Sequence, residues 1–203
     1  QALNEISYLT GKINEIPEEG SLAPNSYEFG RKDTRSSILK RMSVKQDIIL
    51  QRAWESKSDS LPFKTPGEAL ILASIIEKET GLKSERRIVA SVFINRLKKG
   101  MPLQTDPTVI YGITKGKEIL GRGLRQSELR KDTPWNTYLR KGLPPTPIAN
   151  PGEESIFAAL NPEKTDFIFF VADGTGGHAF ATNLSDHNQN VANWRAIEKN
   201  SKD

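Results

Sequence analysis

One stretch of the 203-residue chain is marked more strongly than any other: TPGEALILASIIEKETG, residues 65–81. Thr65 is placed as an N-cap, Pro66 holds the first helical position with its φ already fixed, and Glu68 completes a T-x-x-E capping box. Gly81 is placed to end the helix as a left-handed cap. On a wheel of about 100° per residue, Leu72, Ile75, Ile76 and Glu79 follow an i, i+3, i+4, i+7 pattern. Glu79 therefore lies inside the apolar stripe. Glu77 falls at its edge with Leu70, Ala73 and Ser74, and Lys78 points to the polar side.

A glutamate at a core position costs free energy unless it is paired, hydrogen-bonded or protonated. Desolvation raises its pKa, and so does the negative end of the helix dipole. A carboxyl held protonated in this way is suited to general acid chemistry near neutral pH. The alternative is a frayed last turn in which Glu79 meets solvent and does nothing.

Around this helix the chain reads as α+β and mostly helical. LNEISYLTGKI suits a short helix, and IPEEGSLAPNSYEFG suits loops with an extended piece near Tyr27. Residues 34–57 form a helix capped by Thr34, with Ile38, Leu39, Met42, Ile49, Leu50 and Trp54 as its apolar positions. After Gly81 a further helix is capped by Ser84, buries Ile88, Val89, Val92, Phe93 and Leu97, and ends at Gly100. MPLQTDPTVIYGI, with two prolines and β-branched residues, reads as a structured loop with a strand. Residues 114–150 are irregular, a length of loop that is usually functional or disordered. The embedded Trp135, Tyr138 and Leu143 argue for order. EESIFAAL is a short helix, DFIFFVADGTGGHAFAT a β-hairpin, and a last helix runs from Leu184 to Lys199. No repeat or low-complexity tract is present.

Composition narrows the chemistry. With 36% hydrophobic and 27% charged residues the chain can build a core. The formal charge of +4 allows an anionic partner without demanding one. The absence of a basic stripe interleaved with aromatics argues against nucleic acid. There is no cysteine, so disulfides, thiol catalysis and Cys-based zinc sites are excluded. No run approaches the roughly 20 apolar residues that span a bilayer. The chain begins at Gln1, as a processed or trimmed fragment would.

The segment ILASIIEKETGLKSERRIVASVFINRLKKGMPLQTDPTVIYGI resembles the catalytic core of the endolytic murein lytic transglycosylases, the YceG-like family. The likeness continues in NTYLRKGLPPTPIANPG and FIFFVADGTGGHAFATNLSDHN and covers roughly residues 60–190, with EGSLAPNSYEF as a lead-in. The resemblance implies a bacterial cell-envelope enzyme with a lysozyme-like catalytic lobe, a LysM-like subdomain and an N-terminal membrane anchor at the extracytoplasmic face. On that basis residues 59–203 are the catalytic domain. Residues 1–58 are a lead-in and helix left from the region joining the LysM-like part, with the anchor absent from this chain. The family's catalytic glutamate lies in its E-K-E-T segment and maps onto Glu79, the residue the wheel selects.

The implied reaction cuts the β-1,4 bond between N-acetylmuramic acid and N-acetylglucosamine and leaves 1,6-anhydro ends. It needs one acid/base, whereas a hydrolase needs a second carboxylate about 5–9.5 Å away. Candidate substrate-binding residues are Gln104, Thr105, Asp106 and Tyr111 in LQTDPTVIYG, and Asn136, Thr137 and Tyr138 in NTYL. The polar groups suit sugar hydroxyl and N-acetyl groups, and the tyrosine suits stacking, with Pro144, Pro145 and Pro147 stiffening the wall. Ordinary turn, cap and loop packing would account for the same residues. His178 reads as a strand-end structural residue; a lone His gives no metal site.

No cofactor is implied. GTGG lacks the Lys-Ser/Thr and helix of a phosphate loop, so pyridoxal-phosphate chemistry finds no phosphate cup. The partners implied are peptidoglycan strands and cell-wall synthases. The rival readings are a peptidoglycan-binding scaffold that does not cut, and a plain muramidase.

Overall fold

The computed structural model describes residues 9–13 and 15–200. Their order is α1 (Arg35–Glu55), α2 (Pro66–Glu79), a 3-10 turn (Lys83–Glu85) and α3 (Arg86–Lys98). Then come α4 (Asp106–Thr114), α5 (Gln126–Leu129), α6 (Glu153–Leu160), β1 (Phe169–Ala172), β2 (His178–Ala181) and α7 (Leu184–Asn200). The class is α+β, mostly helical with one two-stranded antiparallel sheet. Among the described residues no helix is long and apolar enough to cross a membrane. The short helix expected in LNEISYLTGKI falls mostly on residues outside those described; within it, Thr10 forms an isolated parallel bridge to Thr34.

α2 is the hub. It packs against α6, α3, α1 and α4, because Ala69, Leu72, Ala73, Ser74, Ile75 and Ile76 are all buried and leave it little polar surface. The alanines of α2 face a helix that also carries Ala158 and Ala159, which shortens the distance at which two helices can pack. Ile49 and Ala53 of α1 join the same core as Phe93, Leu103, Ile156 and Leu160. Ser74, buried in α2, accepts a hydrogen bond from the Ile148 N–H at 3.0 Å and so fastens the proline-rich loop to the core.

The helix starts follow the expected chemistry more closely than the ends. Thr34 caps α1 in a capping box with Ser37. Thr65 caps α2 through the Glu68 N–H at 3.3 Å, but Glu68 turns its carboxylate to the Lys64 N–H at 2.5 Å, not to the cap residue's own N–H. Gly81 is not a left-handed cap. α2 ends one residue earlier, where Thr80 turns extended (φ −138°, ψ 132°) and its hydroxyl accepts the Leu82 N–H at 3.1 Å. Ser84 does not cap α3; it lies within the 3-10 turn, and the helix begins after Glu85. Gly100, at φ +63°, does end α3 as expected.

The largest correction is at residues 106–114, expected as loop and strand and found as α4. Asp106 and Pro107 open it, where a missing N–H costs nothing and an acidic side chain meets the positive end of the dipole. The hairpin pairs Phe169 with Ala181 through Ala172 with His178. A two-stranded ribbon is marginal alone. α7 covers it, Phe93 meets Phe170 edge-on at 5.7 Å, and the Asn95 amide donates to the Thr165 and Phe167 carbonyls at 2.8 and 2.9 Å.

Gln46, buried on α1, donates to the carbonyls of Gly20 at 2.9 Å and Pro151 at 3.1 Å. It ties the lead-in to the approach of α6. Gln46→Met keeps the volume and strands both carbonyls, so it is expected to cost about 1–3 kcal/mol. The check is a fall in urea midpoint with an unchanged slope.

Candidate active site

The two glutamates in the last turn of α2 part company. Glu77 points to the start of α6, where Oε2 accepts the Gly152 N–H at 3.1 Å and the Ser155 hydroxyl at 2.6 Å. It serves as a carboxylate at a helix N-terminus, a favourable structural position. Glu79 faces a cleft of about 620 Å³ whose walls come from α3, α4, the hairpin and α7. The residue keeps an opening to the cleft while its carboxyl group sits deep among protein atoms. Oε1 accepts a hydrogen bond from the Thr105 hydroxyl, which leaves Oε2 as the oxygen available to a ligand.

Burial pushes the Glu79 carboxyl above its ordinary value. The Thr105 hydrogen bond pulls the other way, the Asp106 charge adds to the rise, and the His178 side chain opposes it. Thr105 is held from three sides. It occupies the N-cap position of α4, its N–H donates to the Thr137 hydroxyl at 3.2 Å, and its carbonyl accepts from the Thr108 hydroxyl at 2.7 Å. Its own hydroxyl caps nothing, because it serves Glu79.

Asp106 is also at the cleft, and its Oδ1 accepts the Tyr138 hydroxyl at 2.6 Å. Burial and that hydrogen bond hold the Tyr138 phenol protonated far above its ordinary range. Gln104 lines the cleft in a left-handed conformation (φ +53°), with its N–H bonded to the Thr137 carbonyl at 3.1 Å. Thr137 itself is buried behind the wall. Asn136 is a scaffold residue: fully buried, it donates to the carbonyls of Leu129 and Lys131 and accepts the Tyr138 N–H. Tyr111 lies on the other side of α4, against Trp135 at 5.7 Å, and lines a separate groove with Ile110 and Ile119. The structure thus brings Gln104, Thr105, Asp106 and Tyr138 to Glu79, supports them with Asn136 and Thr137, and sets Tyr111 apart. A wider groove, about 900 Å³ along α1 between Tyr27 and Ile48, has no buried residue in its lining.

Two further residues build the cleft. Arg96 is buried in α3. Its Nε donates to the Ile168 carbonyl at 2.6 Å and Nη1 to the Leu103 carbonyl at 2.9 Å and the Gln104 amide oxygen at 3.3 Å, while its guanidinium stands 5.3 Å from the Phe169 ring centre. His187 stacks on Phe169 at 4.8 Å. Arg96 carried a sequence signal. It continues the stripe Val89, Val92, Phe93 at i, i+3, i+4, i+7, a charge in a core position like Glu79. His187 carried none.

The model of the YceG-like family matches residues 2–193. The chain is 40% identical over 173 residues to the endolytic murein transglycosylase of Bacillus subtilis (strain 168), covering 85% of this chain and 47% of that protein. It is 35% identical over 181 residues to the protein of the same name from Streptococcus pneumoniae serotype 2 (strain D39), covering 86% and 32%. The chain therefore spans about half or less of the length of these relatives. The crystal structure of a YceG-like protein from Listeria monocytogenes superposes with a TM-score of 0.72 at 36% identity, over 84% of this chain and 54% of that one.

The raised pKa of Glu79 has a stability consequence of definite sign. Near the ordinary value of 4.5 the unfolded chain loses this proton first. The folded state keeps it to higher pH, so stability falls as pH rises from there through the folded pKa, and the penalty is full above it. Glu79→Gln keeps the acceptor for Thr105 and removes the titration. The variant should melt higher than wild type at pH 7 and show no advantage at pH 4, each kcal/mol reading as roughly 2–4 °C.

Proposed function

The chain belongs to the YceG-like family, and from that premise we propose that it is an endolytic lytic transglycosylase of peptidoglycan. It cleaves the bond between N-acetylmuramic acid and N-acetylglucosamine inside a glycan strand and leaves a 1,6-anhydro end. The observation that carries the reading is Glu79: a carboxyl whose pKa burial raises, at the wall of an open cleft, with one oxygen held by Thr105 and the other available. The name its relatives carry points the same way.

In this reading Glu79 gives its proton to the glycosidic oxygen as the C1–O bond breaks. The same carboxyl, now ionised, then takes the proton of the muramyl 6-hydroxyl as that oxygen closes on C1, and no water enters. A single acid/base satisfies the stoichiometry. The other carboxylate that lines the cleft, Asp106, is engaged by Tyr138; Gln104 and Tyr138 hydrogen-bond or stack on the sugars. Residues 59–203 hold all of these groups and are assigned the catalytic role, with residues 1–58 as lead-in. We place the whole protein in the cell envelope, anchored at the extracytoplasmic face of the membrane and working beside cell-wall synthases.

The test is digestion of uncrosslinked glycan strands followed by mass spectrometry. Wild type should release internal fragments with anhydromuramic ends, and Glu79→Gln should lose at least about 10²-fold in rate, the scale of a general acid. Reducing ends would indicate hydrolysis and make Asp106 the second carboxylate. Strands bound but left intact by wild type would assign the cleft to recognition without cleavage.

The Thr105 hydroxyl stabilises the ionised form of Glu79, so Thr105→Val should raise that carboxyl further. The alkaline fall of the cleavage rate should move to higher pH in that variant. An unmoved profile would mean that Glu79 is not the group whose protonation limits the reaction.

A further inference from the structure

One wall of the cleft is a helix that gives nothing to the core. α7 has no buried residue among those described, and it packs on the two strands of the hairpin. Its residues Leu184, His187, Asn188 and Val191 line the cleft. They follow the i, i+3, i+4, i+7 spacing of a single helix face. In a folded domain such a face is ordinarily turned to the core. Here it is turned to the cavity that holds Glu79, with Leu184 58% exposed. Proton transfer uses none of these residues.

The face is fixed from both ends of the helix. The Asn183 side-chain oxygen accepts the Asp186 N–H at 2.9 Å, an N-cap contact, and its amide donates to the Asp186 carboxylate at 2.8 Å. The His187 N–H donates to the Asn183 carbonyl at 3.2 Å. Toward the other end Ile197 lies so close to the hairpin turn that a Cβ on Gly174 would stand 2.9 Å from it. Between these anchors the His187 ring is stacked on Phe169, with ring centres 4.8 Å apart and planes 17° from parallel. The orientation of the imidazole is therefore set before any ligand arrives.

Stacking leaves the two ring nitrogens in different surroundings. Nδ1 is covered by protein and has no hydrogen-bond partner, so Nε2 is the nitrogen open to the cleft. Burial, and after it the charge of Arg96, hold the His187 pKa below its ordinary value. The ring is neutral at pH 7 and carries one proton. Orphaned buried N–H groups are rarer than under-satisfied acceptors, which puts that proton on Nε2. The cleft is thus offered a neutral donor by His187, a donor and an acceptor by the exposed Asn188 amide, and apolar contact by Leu184 and Val191.

An acetamido group presents a carbonyl acceptor, an N–H donor and a methyl group, and this wall holds the complement of each. A free amine that is protonated only donates, and it would meet the His187 N–H with a like group. We propose that the α7 wall is the subsite that recognises the 2-acetamido group of a glycan strand. Nε2–H of His187 donates to the acetamido oxygen, the Asn188 amide oxygen accepts the acetamido N–H, and the flanking Leu184 and Val191 contact the methyl. The wall makes the cleft selective for N-acetylated strands over N-deacetylated ones. The assignment rests on the reading of the cleft as a glycan site and leaves proton transfer with Glu79.

The test is binding, kept apart from cleavage. Calorimetric titrations of Glu79→Gln use two probes, the hexamer of N-acetylglucosamine and the hexamer of glucosamine. They are repeated after adding His187→Phe, which keeps a ring on Phe169 and removes the N–H, and after adding Asn188→Leu. Neither position is in the core, and thermal melts serve as the folding control. ¹⁵N-resolved imidazole spectra, simple in a chain with two histidines, locate the His187 proton.

The N-acetylated hexamer should bind at least about 10-fold more tightly than the glucosamine hexamer, the scale of one net hydrogen bond. His187→Phe and Asn188→Leu should each bring that preference toward unity with melting unchanged. The His187 proton should be found on Nε2, and its signal should shift when the N-acetylated hexamer is added. Equal affinities for the two hexamers, a preference that survives both substitutions, or a proton on Nδ1 would each overturn the assignment. Binding of neither hexamer would overturn the glycan reading of the cleft, and the subsite with it. A preference that depends on His187, in a protein whose wild type makes no anhydro ends, would uphold the subsite while the transglycosylase reading falls.

Discussion

The carboxyl at the end of α2 sets the terms for the structure around it. A helix whose middle is buried on nearly all sides can carry an acid in its apolar stripe only where that stripe runs out into a cavity. There the acid must be either paired or protonated. Glu79 is given no cation of its own. Its one hydrogen-bond donor is a neutral hydroxyl, from Thr105, which orients the group without supplying a full opposing charge. That choice favours a proton carrier over an ion pair. Glu77 shows the contrasting case two residues earlier: offered a helix N-terminus, a serine hydroxyl and Arg86 at 3.8 Å, it has what a stable carboxylate needs.

Holding the loop before Thr105 in place falls to a second misplaced charge. Arg96 lies in the apolar stripe of α3 and spends its guanidinium on carbonyls of the 102–103 and 168 backbone and on Gln104. No carboxylate pairs with it among those contacts. The cation is stabilised by convergent dipoles and by the Phe169 face. The same contacts join the loop before α4 to the strand that opens the hairpin, so the two walls of the cleft are fixed to one another through a single side chain. A loop residue at positive φ, Gln104, is tolerable in this position because Arg96 and the Thr137 carbonyl determine it from both sides.

What the sequence made legible follows from this. Periodicity and capping chemistry located the long helices and the hairpin, because those depend on local pattern. The wheel singled out Glu79 because an acid in an apolar stripe is a conflict visible without coordinates. The same criterion applied to α3 would have found Arg96. Residues 106–114 went unrecognised as a helix since β-branched residues and the prolines at 102 and 107 outweigh a nine-residue period, and only the burial of Thr108 and Val109 decides the matter. Asn136 and Thr137 were rightly singled out as polar residues in an ordered loop. Whether such a group touches ligand or holds backbone depends on which loop it packs behind, and that is a tertiary fact. Tyr111 illustrates it from the other side: five residues from Asp106 on one helix, it faces a different groove.

The correction at Gly81 joins these threads. A left-handed glycine cap would have turned the chain back over α2 and left Thr80 inside the last turn. The extended Thr80 instead carries its hydroxyl out to the Leu82 N–H and to Glu85. The short 3-10 turn then presents Glu85 to the hairpin without asking it to cap α3. Glu79 is thereby set at the cleft and Glu85 against His178 of its hairpin wall, from the two ends of a six-residue connection, one acid buried beside a hydroxyl and the other bonded to an imidazole. The way α2 ends, and not its apolar middle, is what makes the site.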